Sequence, residues 1–119
     1  MTQPINNNET PKTPDTPKEL KDAVVAVLEE KGAKDIVVLD MTEKSSIADY
    51  FVVATGKNVS NVRALSEHLE EKLEEQGVFA ARKEGLTDAR WVVVDYNSVI
   101  VHIFNGDTRD FYSLETLWK

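Results

Sequence analysis

The sequence predicts an α+β (α/β) domain with a single mixed five-stranded sheet flanked by helices. Three observations carry that expectation. Segments with apolar residues at helical spacing are interspersed with short apolar runs of strand length, in the order α-β-β-α-β-β-β-α. The chain has 119 residues, which suits one domain able to bury roughly 65% of its unfolded surface. All four prolines (Pro4, Pro11, Pro14, Pro17) and the run Asn6 to Asn8 lie in the first 17 residues. That stretch has too little apolar surface to offset its chain entropy, so residues 1–17 are expected to form a disordered tail and 18–119 the domain.

Each element has its own local reason. Thr16-Pro17-Lys18-Glu19 reads as a helix start: a capping hydroxyl, proline at the first helical position and glutamate three residues after the cap. Leu20, Ala23, Val24, Val27 and Leu28 follow at helical spacing, and Gly32 stops the run. Asp35 to Asp40 (DIVVLD) is suited to a buried strand, and Tyr50 to Thr55 (YFVVAT), ended by Gly56, to a second. Asn58 or Ser60 can cap the next helix, which turns Val62, Leu65, Leu69 and Leu73 inward. Its outer face carries Glu67, Glu70, Glu71, Glu74 and Glu75, with His68 expected in solvent among them. A weak strand is expected at Val78 to Lys83, then a turn at Gly85. Arg90 to Tyr96 and Val99 to Phe104 flank Asn97-Ser98 as a hairpin. A last helix is expected from Asp107, packing through Phe111, Leu114 and either Leu117 or Trp118.

Composition narrows the function. The formal net charge is -7 and the pI about 4.8, so a general nucleic-acid-binding surface is disfavoured. The absence of cysteine excludes disulfides, thiolate metal sites and cysteine catalysis, and fits a reducing, cytoplasmic location. No apolar run approaches the ~20 residues of a membrane helix. Met1-Thr2-Gln3-Pro4 lacks the basic and apolar regions of a secretory signal.

Catalytic patterns are scarce. His68 and His102 lie in different elements without metal-ligand spacing, and Gly56 lacks the companions of a phosphate loop. Ser45 and Ser46 have no nearby histidine or nucleophile elbow. Asp40, Asp49 and Asp95 could gather at strand ends around a divalent ion, although no Asp-x-Asp pair exists. No cofactor or metal is expected.

The hairpin is more informative. With Asn97-Ser98 as the turn, Trp91 opposes Phe104 and Val93 opposes His102. One face then shows Val92, Val94, Val101 and Ile103; the other shows Trp91, Val93, Asp95, Ile100, His102 and Phe104. An apolar face mixed with Trp, His and Asp suits protein binding. A covering helix suits it equally, and pattern alone leaves both open. Arg109 and Tyr112, three apart, share a face of the last helix. Arg109 could equally pair with Asp95 or Asp110.

These stretches resemble the ribosomal silencing factor family, also called Iojap-like. The resemblance rests on DYFVVATG (Asp49 to Gly56), Glu84-Gly85, ARWVVVDYNSVIVHIF (Ala89 to Phe104), and Arg109 with YSLETLW (Tyr112 to Trp118). It spans roughly Leu20 to Lys119. Two departures stand out: the family hairpin commonly turns through Gly-Asp rather than Asn97-Ser98, and Ser60-Asn61 replace a basic residue followed by His or Gln. The resemblance implies a nucleotidyltransferase-like topology without catalytic residues. It also implies a non-enzymatic translation repressor that binds large-subunit ribosomal protein fourteen and blocks joining of the small subunit, especially in nutrient-poor cells. Family members are often dimeric, which extends the expectation to a homodimer. Trp91, Val93, Asp95, His102 and Phe104 are the candidate partner-binding residues, with Asp49, Arg109 and Tyr112 beside them. No sequence-specific nucleic acid and no membrane is expected as a partner. The alternatives are a nucleotide-handling enzyme using Asp40, Asp49 and Asp95, or a generic protein-interaction module.

Overall fold

The computed structural model describes residues 13–106. The expected last helix, with Arg109 and Tyr112, lies outside them, as do residues 1–12. Seven elements follow in order: α1 (Pro17–Glu30), β1 (Lys34–Asp40), β2 (Tyr50–Gly56), α2 (Val59–Glu75), β3 (Arg82–Glu84), β4 (Trp91–Asp95) and β5 (Val99–Asn105).

The helix starts follow their sequence signals. The Thr16 hydroxyl accepts the Glu19 N–H at 3.1 Å, and Pro17 opens α1. The boundary expected at residue 17 therefore falls inside the first helix. Of the two candidate caps for α2, Asn58 is the one used: its side-chain oxygen accepts the Asn61 N–H at 2.8 Å.

The strands form one sheet in the order β1-β2-β5-β4-β3. Only β2 and β5 run parallel; the other three pairs are antiparallel. Both described helices pack on one face. Leu20, Val24, Val27 and Leu28 of α1 and Val62, Leu65, Leu69 and Leu73 of α2 close over Val52, Ala54, Val92, Val94, Val101 and Ile103. Burying side chains of this size contributes ~1.5–3 kcal/mol each, so this layer is the main source of stability. A smaller cluster on the opposite face centres on Val53 and Phe104, with Val37, Leu39, Phe51 and Trp91 against it.

Three expectations are corrected. DIVVLD is not a buried strand: β1 is an edge, Val38 is 39% exposed, and the register breaks between Lys34 and Val37, where Asp35 has φ of 50°. The strand expected at Val78 to Lys83 begins four residues later. Val78 and Ala80 pack into the helix-side core instead, leaving only Arg82–Glu84 to pair with β4. His68 is not a solvated residue. Its side chain is tucked against the end of α1, with Nε2 3.8 Å from a Glu30 carboxylate oxygen. The helix is also less uniformly solvated than its glutamates suggest, since Glu70 accepts the Lys83 ammonium at 2.8 Å and ties α2 to β3.

Candidate functional site

The β4–β5 hairpin has the register its alternation implies. Trp91 pairs with Phe104, Val93 with His102 and Asp95 with Ile100, while Val92 and Val94 oppose Ile103 and Val101. At the turn, Asn97 adopts φ of 72°, a left-handed conformation that asparagine tolerates better than most residues. The Asp95 carboxylate accepts the Asn97 N–H at 2.7 Å and stabilises the bend locally.

The start of β4 is fixed by Gly85. It has φ of 88°, and a Cβ there would stand 2.1 Å from the Trp91 carbonyl oxygen. Only glycine allows the loop to pass this close to the strand. Arg63 of α2 clamps the same loop by donating to the carbonyls of Leu86 and Thr87. Together they hold Trp91 where the face needs it.

The indole N–H of Trp91 donates to His102 Nδ1 at 3.0 Å. An indole only donates, so Nδ1 must be unprotonated, and the ring proton of neutral His102 sits on Nε2. Burial pushes the His102 pKa down to about 4, because a charged imidazolium would be poorly solvated there. Trp91 also stacks on Phe104 with centroids 5.1 Å apart and planes at 23°. Phe51 of β2 approaches His102 at 4.8 Å with a 57° tilt. The result is an aromatic array across three adjacent strands, with ring pairs in favourable offset or tilted arrangements.

Beside it lies a groove of about 200 Å³ lined by Phe51, Arg82, Glu84, Val93, Asp95, Ile100 and His102. Arg82 reaches Asp95 at 3.3 Å. That contact supplies Asp95 with a cation from β3, the role sequence left open for Arg109.

The structure thus brings Trp91, Val93, Asp95, His102 and Phe104 onto one face. They differ in accessibility: Phe104 is 1% and His102 6% exposed, whereas Trp91, Val93 and Asp95 are half-buried. Asp49 sits apart at the turn end of the sheet, where its N–H bonds the Ser98 carbonyl at 2.8 Å. Arg109 and Tyr112 lie outside the described residues. Sequence reasoning missed Phe51 and Arg82. Alternation along YFVVAT puts Phe51 with Val53 on one face, but its approach to His102 depends on the non-local pairing of β2 with β5.

The three carboxylates of the enzyme alternative do not converge. Asp40 pairs with Tyr50, which packs on the helix side, whereas Asp95 lines the groove on the opposite side. Asp40 is also occupied locally, accepting the Thr42 N–H and hydroxyl at 3.0 and 2.7 Å. Those two bonds hold its carboxyl below the usual carboxylate range. Among the described residues, no three His, Asp or Glu side chains are grouped to hold a metal ion, and no helix is long and apolar enough to cross a membrane.

Comparison with known proteins agrees with this architecture. The family described as ribosomal silencing factor during starvation matches residues 13–119. The ribosomal silencing factor RsfS of Bacillus subtilis is 38% identical over 101 residues, covering 85% of this chain and 86% of that protein. The crystal structure of a Chromobacterium violaceum protein superposes with a TM-score of 0.84 at 35% identity, covering 87% of each chain. A more distant mouse relative, named mitochondrial assembly of ribosomal large subunit protein 1, is 28% identical over 100 residues. That match covers 82% of this chain and 44% of the mouse protein. In class, then, this is a mixed-sheet α+β domain like the Chromobacterium structure. The chain belongs to the ribosomal silencing factor family.

Proposed function

We propose that this protein silences translation by docking on the large ribosomal subunit, through large-subunit ribosomal protein fourteen, and occupying space the small subunit requires for joining. The observation that carries the reading is the family match over residues 13–119, which runs through the whole Trp91 to Phe104 hairpin. The name of the mouse relative, which refers to the large subunit, favours the same half of the ribosome. Charge agrees. A chain of net charge -7 is repelled by ribosomal RNA and attracted by a basic ribosomal protein, and that complementarity speeds encounter. Occlusion requires no chemistry, so the protein acts as a regulator rather than a catalyst. The cytoplasm is its place of action, and a homodimer its state when not docked.

The docking surface in this reading is the aromatic face, with Trp91 as anchor. Truncating a central tryptophan at an interface costs ~2 kcal/mol or more, about thirtyfold in affinity. Trp91→Ala should therefore lose co-sedimentation with large subunits and inhibition of subunit joining. Melting is measured on the same sample, because Trp91 also stacks on Phe104 and bonds His102. Should Trp91→Ala unfold, Trp91→Phe keeps an aromatic ring on the stack and takes its place. A folded variant that still blocks joining at wild-type concentrations defeats the assignment.

A further inference from the structure

On the aromatic face one buried donor has no acceptor. His102 Nε2 is inaccessible to solvent and, among the described residues, has no hydrogen-bond partner. Its proton is fixed there because Nδ1 is taken by the indole of Trp91. Leaving a buried N–H unpaired is unfavourable, so its persistence calls for an explanation. The ring borders the groove whose walls are Phe51, Val93 and Ile100. Asp95 borders the same groove. Its two oxygens each accept one bond, from the Asn97 N–H and from Arg82, which leaves lone pairs available. The groove thus has a usable acceptor on its wall and an unused donor just beneath its surface, between apolar side chains and a charged rim.

We propose that this groove receives a carboxamide side chain, asparagine or glutamine, from the ribosomal protein on which the aromatic face docks. Its carbonyl oxygen accepts from His102 Nε2–H, and its NH2 donates to the Asp95 carboxylate. This rests on the docking reading above and names the chemistry at its centre. Other occupants fit less well. A carboxylate would meet two negative side chains, Glu84 and Asp95, against the single cation Arg82, which already pairs with Asp95. A lysine or arginine would leave the His102 donor facing another donor. A purely apolar side chain would leave the N–H unpaired in the complex as well. A carboxamide carries an acceptor oxygen and a donor nitrogen on separate, adjacent atoms without net charge, whereas a hydroxyl must serve both partners from one oxygen. The rim can yield to admit it: the Arg82 and Glu84 side chains are 68% and 65% exposed, and only a 3.9 Å contact joins them.

The test uses the full chain and purified large subunits. In His102→Asn the amide oxygen stands near the old Nδ1 position and can still accept from Trp91, but no donor remains near Nε2. In His102→Gln the amide nitrogen reaches the old Nε2 position and the donor is restored. His102→Asn should bind about tenfold or more weakly than the unaltered protein, whereas His102→Gln should recover most of that loss. Equal binding by the two variants, both folded, overturns the proposal. A second measurement uses the unaltered protein: histidine side-chain 15N spectra titrated with propionamide and, separately, with propionate. A His102 Nε2 shift with the amide alone supports the inference; no shift, or the same shift with both, overturns it. If the unaltered protein fails to bind large subunits at all, the docking reading fails, and the propionamide titration still decides the chemistry of the groove.

Discussion

Strands β4 and β5 carry two surfaces of opposite character on a single backbone. Toward the helices they present Val92, Val94, Val101 and Ile103, all fully buried and wholly aliphatic. Toward the other side they present Trp91, Val93, Asp95, Ile100, His102 and Phe104, which bring an indole N–H, an imidazole and a carboxylate. The aliphatic side needs only shape and exclusion of water. The aromatic side carries polar groups that must each be partnered or leave a cost, as His102 Nε2 does. Stability is therefore expected to depend mainly on the first side and recognition on the second.

The largest effect that can break this division is a truncation in the helix layer. Leu69 of α2 is fully buried in the main core. Leu69→Ala should cost ~2–5 kcal/mol through lost transfer energy and the cavity left behind. Chemical denaturation should show a clear drop in midpoint, while the native fraction keeps its affinity for large subunits. If Leu69→Ala instead weakened subunit binding without lowering stability, the two sides would not be separable.

The next effect comes from the aromatic side, where stability responds to acid. His102 is held neutral by burial, with its pKa lowered from 6.5 to about 4. An unfolded chain binds a proton at this residue near pH 6.5, and the folded chain only near pH 4. In between, the unfolded state binds more protons, so stability rises with pH. The contribution is complete above pH 6.5 and is lost as pH falls toward 4, by ~3 kcal/mol in all. Denaturation midpoints at pH 7 and pH 4 measure it, and His102→Gln should flatten the slope. An unchanged slope in that variant would place the acid sensitivity elsewhere.

Much of this contrast was legible in the sequence because it is local. Period-two alternation across Trp91 to Asp95 and Val99 to Phe104, with Asn97-Ser98 between, fixes which side chains share a face and which oppose each other. Thr16, Pro17 and Glu19 likewise announce α1 within four residues. What sequence did not reveal depends on distant pairings. DIVVLD has the composition of an inner strand, yet among the described residues β1 pairs only with β2, at the edge of the sheet. His68 looks solvated among glutamates until α1 is placed beside it. Phe51 meets His102 only because β2 and β5 run parallel in one register. Asp95 pairs with Arg82, thirteen residues away, through the β3–β4 register.

That last pair gives the smallest and most selective prediction. Asp95 performs two tasks: it caps the turn through the Asn97 N–H and it faces the exposed Arg82 guanidinium. Asp95→Asn keeps a side-chain oxygen for the turn and replaces the charged oxygen that accepts from Arg82 with an NH2 that cannot. An ion pair with one solvated partner contributes ~1 kcal/mol or less, so the melting temperature should move by a few degrees at most. Binding should respond differently from the tryptophan truncation. Losing a rim charge on an acidic protein slows its approach to a basic partner, so the association rate should fall at low salt. The association-rate difference from wild type should vanish at 1 M salt, where screening shortens to about 3 Å, while the lost acceptor for the partner's carboxamide persists as faster dissociation. Stopped-flow association at two ionic strengths separates these cases. An association-rate deficit that survives high salt would show that Asp95 does not act by steering, and a loss of several kcal/mol in stability would show that the aromatic side helps hold the fold together.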